Sequence, residues 1–323
     1  STSSGYPGKL YSNLYQGSIS YPFDETKSVR ITAGYRADKT VLFSVDTVTM
    51  KLDLDPKKFG LLRAEYVYDN TLNPVMNIWD GVRCKVYTDF SMDMGTRSDP
   101  GAAGKLTFNM GFDARAYYRI YRNFIWAGRA AGDFSWGDQK FIYYLGGIDN
   151  WLMLSSNTKF DGNGQVSYRY FNPNNRPDPD AEYAYQSLAV NLRGFIQNAA
   201  NGNNSLVINS EFRLPVFTTL FSKPINNAFL RNFQLTQFID LGSAWNGQFD
   251  KIGRPTVVYT NPSDPNTVQV LVKAPGVGPF LGGYGFGARS MLLGYFVKVD
   301  AGWPMNGIFK GKPIWYFSLG LDF

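Results

Sequence analysis

Between Leu106 and Ile120 the chain reads LTFNMGFDARAYYRI, and alternate residues are of two kinds. Leu106, Phe108, Met110, Phe112, Ala114, Ala116, Tyr118 and Ile120 share one parity; Thr107, Asn109, Gly111, Asp113, Arg115, Tyr117 and Arg119 share the other. A period of two predicts a β-strand with an apolar face and a polar face. The run is more than twice the usual strand length of about 5–6 residues. At about 3.3 Å per residue it is long enough to cross a bilayer even when tilted. The pattern recurs at Leu62–Asp69, Phe124–Phe134, Leu206–Phe217, Phe233–Trp245 and Tyr295–Trp303, with the charges on one parity. The final stretch, IWYFSLGLDF, puts Trp315, Phe317, Leu319, Leu321 and Phe323 opposite Tyr316, Ser318, Gly320 and Asp322.

The connections alternate as well. Tyr121–Asn123 and Leu292–Tyr295 are tight, and FDETKS after Tyr21-Pro22 is short, whereas Met94–Gly104, Gly137–Asn191 and Asn246–Leu281 are long and rich in breaker residues. Long amphipathic strands with short turns at one end and long loops at the other predict an all-β protein, an antiparallel transmembrane β-barrel with short periplasmic turns and long extracellular loops. A large soluble sandwich or propeller is the competing architecture; no blade-length repeat supports the propeller. About eleven strands are recognisable, beginning near Tyr11–Tyr21 and Ser28–Phe43, whereas closed bacterial barrels carry an even number. The expectation is therefore a single barrel domain over residues 1–323 that lacks the beginning of its barrel. STSSGYPGKL has neither the charged head nor the apolar stretch of a signal peptide, so the chain reads as a mature or truncated product.

Composition sharpens this picture. The 323 residues include 33 Gly, 25 Phe, 21 Tyr and 7 Trp, yet the mean hydropathy is slightly negative. Many aromatics without overall hydrophobicity suit amphipathic strands better than apolar helices. No uncharged apolar run reaches the length of a transmembrane helix. The 32 Lys and Arg against 26 Asp and Glu leave a net charge of +6. No basic cluster stands out, which argues against a nucleic-acid partner. The single cysteine, Cys84, has no partner for an internal disulfide and sits at an apolar-parity position, as a small hydrophobe would. Histidine is absent. That removes Ser-His and Cys-His catalysis and imidazole metal sites. The expectation is a protein that is not an enzyme and carries no cofactor or metal.

Three segments carry a family resemblance. LRGF at Leu192–Phe195 is similar to the [VI]RG[FY] signature of the BamA/TamA superfamily, with Leu in the first position. FIDLGSAW at Phe238–Trp245 is similar to its F-x-D-x-G strand. GYGFGARSMLLGYFVKVDAGWP, with the terminal FSLGLDF, resembles its closing hairpin and last strand. The likeness is specific over Asn191–Phe323 and diffuse before it, and YAYQSLAVNLRGF with NGNNSLVINSEFRLPVF most resembles Bacteroidota members.

The resemblance implies a 16-stranded outer-membrane barrel whose loop, residues 137–191 leading into LRGF, folds back into the lumen. It implies that Arg193 is buried there against Glu211 and Asp240; strand parity independently points both carboxylates inward. Gly194 would permit a tight backbone approach, and Phe195 would pack on the inner wall. Trp315, Phe317, Leu319, Leu321 and Phe323 would serve as the signal read by the outer-membrane assembly machinery. The function implied is outer-membrane protein assembly or secretion through a seam between first and last strands. A passive porin, or an anchor for a propeller or surface lipoprotein complex, stays open as the alternative. The implied partners are the lipid bilayer and lipopolysaccharide, the assembly machinery, and other outer-membrane proteins or lipoproteins.

Overall fold

The computed structural model describes residues 8–43, 54–72, 79–96, 100–160, 166–178, 183, 188–260 and 269–320. The long strands are β1 (Gly8–Pro22), β2 (Lys27–Leu42), β3 (Lys57–Asp69), β4 (Gly81–Asp93), β5 (Leu106–Tyr121), β6 (Phe124–Gly137), β7 (Asn204–Pro215), β8 (Gln234–Trp245), β9 (Phe280–Leu292), β10 (Tyr295–Pro304) and β11 (Ile314–Leu319). They pair antiparallel in this order within one sheet of twelve strands, the twelfth being the short Gly276–Val277 beside β9. The long, nearly unbroken registers, such as Gly8↔Leu42 through Pro22↔Ser28, satisfy almost every backbone group within the wall. Among the described residues no pairing joins β1 to β11.

The eleven strands place Gly8 and the long loops at one rim, and Leu319 and the tight turns at the other. Two-residue turns join β5 to β6 and β9 to β10, with Arg122 and Leu293 at positive φ. Two connections depart from the expected short turns, residues 70–80 between β3 and β4 and residues 216–233 between β7 and β8. Residues 216–233 on the tight-turn rim hold two short helices, Val216–Leu220 and Ala228–Arg231. The expected strand Leu206–Phe217 stops at Pro215, which has no N–H to extend the ladder. The Asn227 side chain accepts from the Leu230 N–H and starts the second helix.

Sequence parity becomes inside and outside. Thr107, Asn109 and Asp113 of β5 are buried on the inner face, while Met110 and Tyr118 are half or more exposed on the outer one. Outer positions are apolar across the sheet, including Val86, Ile208, Phe212, Leu235, Ile239, Phe286 and Trp315. The inner face carries ion pairs, between strands at Arg30–Glu65, Arg63–Asp89 and Arg129–Asp113 and within β5 at Arg115–Asp113. This is inverted relative to a soluble protein, with the charges in and the oil out.

The sheet curls around the connection between β6 and β7. Tyr143–Leu145, Leu188–Val190 and Ala200–Gly202 form a small sheet within that connection. The same connection reaches β5, where the Tyr143 hydroxyl donates to Asn109 Oδ1 at 2.8 Å. It also reaches β11, where Trp151 bridges Ser318. A small apolar core of Ala131, Leu145, Leu192, Ala200, Val207, Ala244 and Leu281 fastens it to the inner wall.

Candidate functional site: the lumen arginine knot

Leu192 enters the apolar core just described and is fully buried, with Phe195 packed against the same core. Leu192 N–H donates to the Gly147 carbonyl at 3.1 Å, and Gly147 N–H donates to the Phe195 carbonyl at 3.0 Å. These two bonds pinch Leu192–Phe195 into a tight loop that presents Arg193 to β7, β8 and β10.

Arg193 is 7% exposed. Its Nε donates to Asp240 Oδ2 at 2.7 Å and its Nη2 to Asp240 Oδ1 at 3.0 Å, a two-pronged pair. Nη1 donates to Glu211 Oε2 at 2.6 Å and lies 3.9 Å from Asp300 Oδ2. The guanidinium carbon stands 3.7 Å from the centre of the Phe238 ring, a cation–π stack. Burial alone would push this guanidinium toward neutrality, but Asp240 and Glu211 outweigh it and hold its pKa well above the usual arginine range.

The surrounding charges complete a neutral set. Arg213 donates to Glu211 Oε1 at 2.8 Å, and Arg289 donates to both oxygens of Asp300 at 2.7 and 3.2 Å. Arg289 Nη2 also lies 3.8 Å from Glu211 Oε2. Arg193, Arg213 and Arg289 thus face Glu211, Asp240 and Asp300, all buried. Removing so many charges from water is costly unless each finds a partner, and here each does.

Three glycines make room for the knot. Gly283, Gly285 and Gly287 of β9 lie opposite Asp240, Phe238 and Thr236 of β8. A Cβ at Gly283 would collide with the Arg193 carbonyl, and one at Gly287 with the Asp300 carboxylate. Gly194 adopts φ +94, and a Cβ there would meet the Trp303 carbonyl at 2.7 Å, so both chirality and space require glycine.

Tyr316 ties the knot to the terminal strand. Its hydroxyl accepts from Gly194 N–H at 2.9 Å and donates to the Phe195 carbonyl at 2.8 Å, on a fully buried side chain. Tyr316→Phe leaves one buried N–H and one buried carbonyl without that partner. The expected cost is about 1–3 kcal/mol, read as a lowered urea midpoint with the folded signal otherwise retained; an unchanged midpoint would remove this tyrosine from the knot.

The structure therefore brings together Leu192, Arg193, Gly194 and Phe195 with Glu211 and Asp240. Sequence reasoning did not single out Arg213, Phe238, Arg289, Asp300 or Tyr316 as members. Asp300 and Tyr316 share the inward parity of their strands, the one signal that pointed to them. Trp315, Phe317 and Leu319 lie on the opposite parity, facing outward, with Trp315 54% exposed. Leu321 and Phe323 lie outside the described residues. Beside the knot is a polar cavity of about 250 Å³, bordered by Arg115, Arg129, Asn191, Arg193 and Lys298.

No family model and no curated protein matches the chain. Among solved structures it is similar to BamA from Haemophilus ducreyi lacking POTRA domains 1-3, with a TM-score of 0.52 and 12% identity over 96% of this chain and 54% of that one. It is also similar to CdiB from Acinetobacter baumannii, with a TM-score of 0.46 and 12% identity over 98% of this chain and 43% of that one. The chain spans about half the length of these two structures. At such identity the likeness is one of fold, and the antiparallel barrel wall of BamA is the architecture that this chain shares.

Proposed function

We propose that the chain is an outer-membrane barrel of the insertase and translocase superfamily, non-enzymatic, acting in the assembly or secretion of outer-membrane proteins. Charges inside and oil outside fit a wall surrounded by hydrocarbon, and the LRGF loop with its arginine fits the superfamily's lumen motif. The observation that carries the reading is the Tyr316 link, because it couples that motif to the terminal strand. Backbone groups at a strand edge find no partner in lipid, so such an edge favours pairing with an incoming β-strand. Trp315, Phe317 and Leu319 form the outward row that the assembly machinery would read on this chain's own insertion, and Leu321 and Phe323 continue the same parity in the sequence. Bilayer lipid, lipopolysaccharide and outer-membrane clients or lipoproteins are the partners that follow.

The loop on the inner face sets this reading against the passive porin. Liposomes carrying the protein are expected to speed the folding of a small barrel client added from urea, while planar bilayers show only small, flickering currents. A large, steady conductance with no gain in client folding would replace the proposal with the porin.

A further inference from the structure

The edge of β11 that faces away from β10 is already occupied. Trp151 pairs antiparallel with Ser318 as a single bridge, Leu152 N–H donates to the Phe317 carbonyl at 2.7 Å, and Asn150 Nδ2 donates to the Leu319 carbonyl at 3.3 Å. The Trp151 ring packs on Tyr316 with centres 4.7 Å apart and edge-on to Tyr170 at 5.1 Å. These contacts come from the connection between β6 and β7, which leaves the wall at the long-loop rim, and not from a neighbouring wall strand. Its direction is nevertheless the one a wall strand would take, since β11 pairs antiparallel with β10 on its other side.

We infer that Asn150–Leu152 is a resident strap that occupies the strand-accepting edge of β11, and that an incoming β-strand pairs there only after displacing it. The inference rests on the strand-addition reading above and adds how that site is kept closed. Its grip is short. On its other edge β11 pairs with β10 from Val297↔Leu319 through Gly302↔Ile314, whereas the strap offers one bridge and one side-chain bond. An extended strand matching Ile314–Leu319 would make more backbone bonds than the strap and would win the edge.

The strap is also rooted where it can be released as a unit. Gly146 and Gly147 both hold positive φ, and Asn150 does so as well, so the chain swings sharply into and out of the strap. Gly147 is the residue pinned between Leu192 and Phe195, which connects the strap's root to the arginine knot. Leu152, Met153 and Leu154 continue from the bridge as an exposed apolar run, a continuation unlike the polar loops around it.

The test uses the full chain in lipid vesicles with Cys84→Ala to clear the single thiol. Trp151 and Ser318 form the pair that sits between ladder hydrogen bonds, where Cα atoms approach to about 4.5 Å, a separation that suits a disulfide. Trp151→Cys with Ser318→Cys should therefore oxidise to a locked strap. Leu152→Pro with Asn150→Ala should free it, since proline has no N–H for the Phe317 carbonyl. The ligand is a synthetic peptide of sequence IWYFSLGLDF with a photoreactive group, and the readout is its crosslinking to β11. Freeing the strap should raise capture about tenfold, the change expected from one net hydrogen bond lost by a competitor. The lock should abolish capture until reductant is added. Equal capture by locked and freed proteins, or failure of the two cysteines to join, overturns the strap while leaving strand addition in place. No capture by any form overturns the strand-addition reading and the strap with it.

Discussion

Arg193→Ala should lower the stability of the barrel by about 3–5 kcal/mol, the range for removing one partner from a buried ion pair. The reason lies in the count of charges. Three arginines now balance three carboxylates; without Arg193, Asp240 loses its two-pronged partner and Glu211 loses its short bond to Nη1. The deficit is best read as a shift of the urea midpoint in bilayers, followed by tryptophan fluorescence. Arg193→Lys should recover only part of it, because an ammonium cannot span both oxygens of Asp240 while also reaching Glu211. Arg193→Met combined with Asp240→Asn should recover more than either change alone. It removes one cation and one anion together and leaves Arg213 with Glu211 and Arg289 with Asp300. Pairing Arg193→Met with Glu211→Gln should do worse, since it leaves the Asp240 carboxylate charged without its two-pronged partner and removes the Glu211 charge that Arg213 faces. An Arg193→Ala protein with an unchanged midpoint would mean that the guanidinium contributes nothing here.

That order of rescue depends on register, which is where reading the sequence reached its limit. The period of two fixes faces without any knowledge of neighbours. Strands expected at Leu106–Ile120, Phe233–Trp245 and Tyr295–Trp303 are observed at Leu106–Tyr121, Gln234–Trp245 and Tyr295–Pro304. The same parity aimed Glu211 and Asp240 inward. It could not say which inward residues meet, because β8 and β9 are separated by the long connection 246–279 and their register is set by tertiary packing. Arg289 and Asp300 therefore stayed ordinary wet-face residues until Gly287↔Asp300 placed them side by side. Phe238 was hidden for a different reason. It is an aromatic on the polar parity and interrupts the alternation, and only the guanidinium stacked on it explains why. The glycines were hidden by their number: with 33 in the chain, the inward row at Gly283, Gly285 and Gly287 has no signature until the Arg193 backbone, Phe238 and Asp300 are seen filling the space beside it. Tyr316 counted as wet by parity, yet its hydroxyl meets backbone and not water.

Ile208 of β7 points outward near the middle of its strand, opposite Ala130 of β6 and Leu241 of β8, and is 43% exposed. On the surface of a water-soluble sandwich, Ile208→Arg would change stability by less than about 0.5 kcal/mol. In a wall surrounded by hydrocarbon, an arginine near the bilayer midplane costs about 2–4 kcal/mol. Leu214, outward on the same strand but close to the tight-turn rim, supplies the control. Leu214→Arg should cost only about 0–1 kcal/mol, because near the interface the side chain reaches water and headgroups. Both variants lose an aliphatic side chain and gain the same charge, so the difference between them isolates depth in the membrane from loss of packing. Urea unfolding in vesicles of a single phospholipid measures both. A clear penalty at Ile208 with little at Leu214 places the apolar band where the alternation puts it. Equal effects at the two positions would mean that water, and not lipid, covers this face, and the inward burial of the arginine knot would then need another cause.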